Sequence, residues 1–150
     1  MLKYTLSIWL PDEISSVVYE LNDNYLAGRN PPGDSIINRL FISNKFISKV
    51  HFSLILMPPD DGHHFGHYAI KDGNIFTGDR STNGTWVNGL RIAHESEEHK
   101  NELYITNVEL RHQDIITFGS TKAPKAIFEI LRAEEQELDA TSGFSAEIDF

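Results

Sequence analysis

Asp79-Arg80-Ser81-Thr82-Asn83-Gly84-Thr85-Trp86-Val87-Asn88-Gly89 gathers three hydroxyls, two carboxamides and a guanidinium into eleven residues. The chemistry on offer is hydrogen bonding from a shaped loop. Asparagine and glycine both tolerate positive φ, so Asn83-Gly84 and Asn88-Gly89 each reverse or sharply bend the chain. Ser81, Thr82 and Asn83 are then expected at a rim, with Trp86 anchoring the far side in a core. Other residues invite harder chemistry and fall short of it. Ser48, His51 and Asp79 supply the types of a nucleophile, base and orienting acid, but no Gly-x-Ser-x-Gly elbow surrounds a serine. His63-His64-Phe65-Gly66-His67 places three imidazoles within five residues, yet no carboxylate or fourth ligand is spaced as in a known metal site, so no metal is expected. His94-Glu95-Ser96-Glu97-Glu98-His99 is one residue too long for the metalloprotease pattern and reads as a solvated loop. No cofactor loop is present, and cysteine is absent, which excludes thiolate ligands and thiol catalysis.

The elements that must position such a loop follow period two. Apolar alternation marks strands over residues 4–10, 17–21, 25–27, 36–42, 51–57 and 67–72. Residues 75–77 are expected to return as a hairpin partner across Gly73, 85–87 is a short β-prone run within the 79–89 loop, and further strands fall at 90–93, 103–110, 115–118 and 127–131. Pro31-Pro32-Gly33 and Pro58-Pro59-Asp60-Asp61-Gly62 interrupt the pattern as loops. Ten or eleven short strands separated by turns imply an all-β antiparallel sandwich or barrel. Only residues 94–102 and 133–138 could be helical, and neither has an apolar face.

A chain of 150 residues suits one domain with a core that needs no metal or disulfide staple. The formal charge of -9 is unevenly distributed, since residues 133–150 hold six carboxylates and no cation. Residues 1–132 are therefore expected to form the domain, and 133–150 an acidic, disordered tail. Basic surface is scarce overall, which argues against nucleic acid as a general partner but leaves room for a local basic cluster. No stretch has the length of a membrane span and no signal peptide is recognisable, so a cytoplasmic protein without membrane attachment is expected.

Three blocks, taken in order, resemble the forkhead-associated (FHA) domain, a family that recognises phosphothreonine in peptides. They are Gly28-Arg29, Ile47-Ser48-Lys49-Val50-His51 and the run 79–89; a fourth, 110–119, is similar to the family's closing strands. The resemblance spans residues 25–131 and implies an eleven-stranded β-sandwich whose loops at one end bind the peptide. It implies phosphate contacts from Arg29, Ser48 and Thr82, help from Lys49, and an Asn83 contact to the ligand backbone. Gly28, His51, Ser81, Gly84 and Asn88 would shape the site. Lys49 departs from the arginine common at that position and loses its bidentate fork. Read from residue type alone, Ser48 and Thr82 could equally cap turns, and Arg80 and Arg91 either add positive field or end strands in solvent.

The resemblance thus implies a phosphothreonine-dependent adaptor downstream of Ser/Thr kinases and no enzyme. A phosphate-independent scaffold that uses a sheet face of the same fold is the alternative. Thr141 adds a further expectation: phosphorylated, it would be a ligand for the same domain in cis or for a second copy. Mass spectrometry of protein from its native cell should find Thr141 phosphorylated, and a consistently unmodified Thr141 would remove that idea.

Overall fold

The computed structural model describes residues 2–33, 38–92, 108–122 and 124–132. Among them the chain forms eleven strands and no helix. They are β1 (Leu2–Trp9), β2 (Val17–Leu21), β3 (Tyr25–Gly28), β4 (Asn38–Phe41), β5 (Phe52–Met57) and β6 (His67–Asp72), then β7 (Thr85–Val87), β8 (Leu90–Arg91), β9 (Val108–Glu109), β10 (Asp114–Phe118) and β11 (Lys125–Arg132). Six pair in the order β2-β1-β11-β10-β7-β8, and five in the order β4-β3-β5-β6-β9. The result is the expected sandwich, with one departure. β3 and β4 run parallel, Tyr25 opposite Asn38 through Gly28 opposite Phe41, so that β4 begins beside the start of β3 instead of turning back from its end.

Period-two alternation puts one set of side chains from each sheet into a shared core. Phe52 and Leu54 of β5, Tyr68 and Ile70 of β6, Ile116 and Phe118 of β10, and Phe128 of β11 are fully buried. Aromatic edges join the layers: Tyr68 meets Phe128 with ring centroids 6.0 Å apart, and Phe52 meets Phe118 at 5.2 Å. Each large apolar side chain buried in this way contributes about 1.5–3 kcal/mol. The core is thus deep enough to hold polar loops at one end in fixed positions.

Two expectations change. Residues 75–77 are a turn, not a strand, because the Asn74 carboxamide accepts from the Phe76 amide (2.8 Å) and the Thr77 amide (3.3 Å), folding them back as an Asx turn. Trp86 is half-buried instead of core, since its neighbours Thr85 and Val87 take the inward positions of β7 and alternation turns the indole to the other face. Asn88 (φ 51°) and Gly89 (φ 85°) make the two-residue β7–β8 hairpin with positive φ at both positions, the turn for which Asn-Gly is suited. The 94–102 and 133–138 windows, most of the 103–110 strand, the tail and Thr141 lie outside the described residues.

Candidate functional site

The site begins where β3 ends. Past Gly28 the backbone is pinned to the loop before β5: the Arg29 amide donates to Ser48 O (3.0 Å), Asn30 to Lys49 O (3.1 Å), and the His51 amide to Ala27 O (2.7 Å). A β-carbon at Gly28 would stand 2.1 Å from the Lys49 carbonyl oxygen. Only glycine permits this approach, which sets Arg29 beside Ser48. The Arg29 side chain is exposed, and its Nε donates to Ile47 O at 3.2 Å. Among the described residues neither Nη group has an acceptor, which leaves both to serve a further one.

His51 is fully buried and ties two loops together. Its Nδ1 accepts from the Ser48 amide at 3.0 Å, and its Nε2–H donates to Gly84 O at 2.7 Å. Those roles require the neutral imidazole. Burial, the dominant influence, pushes its pKa below the usual histidine value against smaller opposing effects of the Gly84 carbonyl and Asp72. A histidine with a depressed folded pKa contributes stability that is complete above the unfolded value near 6.5 and is lost as pH falls through the folded value. Unfolding midpoints should therefore fall between pH 7.5 and 5.0, and fall less in a His51→Gln variant, which keeps a donor and an acceptor but cannot be protonated. Equal slopes for the two proteins would show that His51 is not responsible.

The 79–89 loop meets this frame through Ser81. Contrary to the expected rim position, Ser81 is buried. Its amide and hydroxyl donate to the Asp72 carboxylate at 3.0 and 2.6 Å, and the Thr85 hydroxyl adds a third bond at 2.7 Å. The Gly84 amide donates to Ser81 Oγ (3.0 Å), while the Gly119 amide donates to Gly84 O (3.0 Å). Buried Asp72 is the hub that sequence reading missed. Its only local signal is an acidic residue closing a β-prone run before Gly73, which many solvated strand ends share.

Thr82 and Asn83 remain at the exposed rim. The Thr82 amide donates to Ser48 Oγ at 2.9 Å, and the Ser48 hydroxyl lies 3.4 Å from Thr82 Oγ1. Asn83 Nδ2 donates to Phe46 O at 2.7 Å, which leaves its amide oxygen and second N–H for another partner. Arg29, Ser48, Lys49 and Thr82 share an open groove of about 740 Å³ with Arg39, Asp79, Arg80 and the Asn30-Pro31-Pro32-Gly33 segment. Among the described residues that line it, four cations stand against the single carboxylate of Asp79 and form a basic patch on a chain of net charge -9. Such a groove suits an anion with several acceptor oxygens.

The profile described as FHA domain matches residues 25–119, the stretch that builds this groove. The chain belongs to the FHA domain family. Among solved structures it is similar to full-length yeast Pml1p (20% identity, 87% of this chain and 83% of that one, TM-score 0.61). It is also similar to the Slr1951 protein from Synechocystis sp. (22% identity, 88% and 99%, TM-score 0.56). A third similar structure is the yeast Dun1 FHA domain in complex with a doubly phosphorylated peptide derived from Rad53 (21% identity, 87% and 75%, TM-score 0.53). No curated protein sequence matches. At these identities the likeness concerns the fold.

Two expected residues of this FHA domain lie away from the groove. Asn88 fastens the β7–β8 hairpin to β10: its Nδ2 donates to Asp114 Oδ1 (2.9 Å) and its Oδ1 accepts from the Ile115 amide (2.9 Å). Arg91, opposite Trp86 across that hairpin, lines a separate depression with Val87, Val108 and Asp114. Arg80 is on the groove.

The histidine cluster also gains partners that its spacing did not show. His63 Nδ1 lies 2.7 Å from Asp60 Oδ1, and its Nε2 lies 2.8 Å from Glu109 Oε2. Those two bonds, Asp60's first, raise the His63 pKa above its ordinary value. The His67 ring stacks on it with centroids 3.6 Å apart, and His67 Nδ1 is buried without a hydrogen-bond partner among the described residues. Asp60 precedes His63 by three residues, whereas Glu109 is brought in by strand pairing.

Proposed function

We propose that this FHA domain is a phosphothreonine-dependent interaction module without catalysis of its own, which couples a Ser/Thr kinase to a partner by holding the phosphorylated segment. The observation that carries the reading is the meeting of Ser48 and Thr82 from two separate loops on a groove lined by Arg29 and Lys49. A phosphothreonine bears nearly two negative charges and three acceptor oxygens. Arg29 would supply the fork, Lys49 a point charge, and Ser48 and Thr82 neutral donors that do not repel one another. Asn83 would bond the ligand backbone beside the phosphate. The phosphopeptide bound to the Dun1 domain supports the assignment. So does the state of His51, whose two ring nitrogens are committed to backbone atoms and so are not available to deprotonate Ser48.

Three or four charge-assisted bonds of about 1.5–3 kcal/mol each, less the cost of ordering a peptide, give a net near -8 kcal/mol, or about micromolar affinity. A degenerate phosphothreonine peptide library, measured beside its unphosphorylated and phosphoserine counterparts, tests the reading. Selective retention of the phosphothreonine set is expected, and equal retention of the unphosphorylated set would sink it.

A further inference from the structure

His67 opens β6 and Glu109 lies in β9, paired with Ala69 two residues along. Positions 67, 69 and 109 share the outer face of the five-stranded sheet, because the alternate positions Tyr68, Ile70 and Asp72 point into the buried layer. The segment between β5 and β6 then folds over that face. Asp60 and His63 exchange backbone hydrogen bonds of 3.0 and 3.1 Å, and the Gly62 amide donates to Asp60 Oδ1 at 2.9 Å, closing a tight turn that aims both side chains at His67. One ligand atom from each of Asp60, His63 and His67 lies within 4.8 Å of the others, and Glu109 reaches the far nitrogen of His63.

We propose that Asp60, His63 and His67, with Glu109 as a fourth ligand or as the hydrogen-bond partner of His63, bind one zinc ion that clamps the β5–β6 loop to the outer face of the sheet. Two imidazoles and one or two carboxylates are a donor set that zinc accepts at about 2.0–2.2 Å, with tetrahedral ligand atoms roughly 3.4 Å apart. Asp60 Oδ1 stands 2.7 Å from His63 Nδ1, and the three ligand atoms lie within 4.8 Å of one another; to face one ion, the stacked rings of His63 and His67 would turn apart, a movement made on the side of Asp60 and His63, which lie outside the core. His67 Nδ1, buried and without a partner among the described residues, is the further sign: an imidazole nitrogen withdrawn from water without a hydrogen bond is costly, and a metal would satisfy it. Imidazole ligands favour zinc, copper or nickel over magnesium and calcium. The Glu109 contact to His63 has the form of the carboxylate–histidine pair that orients metal-bound imidazoles.

The cluster is remote from the phosphate groove. His67 lies at the start of β6 and Asp72, which frames the groove, at its end; five residue steps at about 3.4 Å separate them by roughly 17 Å. Zinc would therefore change stability without changing peptide recognition.

The test uses the untagged 150-residue chain, stripped with chelator and titrated with zinc chloride by calorimetry and by thermal unfolding. Expected are one zinc per chain at micromolar concentration or below, and a rise of about 5 °C or more in the unfolding midpoint at saturation. Magnesium chloride should give neither, and cobalt in place of zinc should give the visible absorption of a tetrahedral site. The His63→Ala/His67→Ala double variant should lose binding and the midpoint shift, whereas His64→Ala, which changes the exposed imidazole next door, should keep both. Absence of stoichiometric binding in the parent protein would overturn the proposal and leave a proton-bridged ion pair only. Binding retained by the double variant would overturn it as well, by placing the metal on other histidines.

Discussion

An Arg29→Ala variant is expected to bind its phosphothreonine peptide about 100-fold more weakly or worse, with an unfolding midpoint within about 2 °C of the parent protein. The binding loss follows from removing the bidentate donor that the end of β3 brings next to Ser48. The fold should be spared because the side chain is exposed and its one hydrogen bond among the described residues is to the Ile47 carbonyl, which water can replace. Arg29→Lys should recover part of the charge attraction but not the fork geometry, and so fall between the two. Calorimetry with matched phosphorylated and unphosphorylated peptides measures all three proteins. Undiminished partner binding by Arg29→Ala would instead favour the phosphate-independent scaffold, with a sheet face as the docking surface.

Asp72→Ala is expected to produce the opposite pairing of effects: a large loss of stability, with binding failing as a consequence. The alanine would leave the Ser81 amide, the Ser81 hydroxyl and the Thr85 hydroxyl buried without their acceptor. Orphaning several buried donors of one carboxylate costs about 3–5 kcal/mol, which lowers the midpoint by about 10–20 °C for a domain of this size. Asp72→Asn should be milder, since one oxygen survives while the new NH₂ faces donors. Denaturant unfolding and peptide titration on the same samples separate the cases. A fully stable Asp72→Ala protein that no longer binds would refute the framing role and move Asp72 into direct ligand contact.

These two residues also show what could be read in advance. Gly28-Arg29, Ser48-Lys49 and Thr82-Asn83 were legible as a set only through the family resemblance, since residue type alone left Ser48 and Thr82 as turn caps; the Asn-Gly steps of the 79–89 loop announced its bends by themselves. Burial of Asp72 depends on Ser81 and Thr85 arriving 9 and 13 positions later, so no window around residue 72 displays it. The same holds for Glu109 and His63, joined across 46 positions. Strand existence was legible from alternation, but pairing direction was not, and the parallel β3–β4 contact appears only in the register of the paired strands. Residues 75–77 misled because apolar content outweighed the preceding asparagine, whose side chain competes directly for the amides that a strand would use.

The His51 bridge has a kinetic corollary. By joining the Ser48 amide to the Gly84 carbonyl through a buried ring, it makes the recognition loops lose their conformational entropy when the chain folds, not when a ligand arrives. Capture by such a preorganised surface involves little rearrangement, so association rates should vary little from one ligand to the next. Discrimination among phosphorylated segments would then reside in how long each one stays.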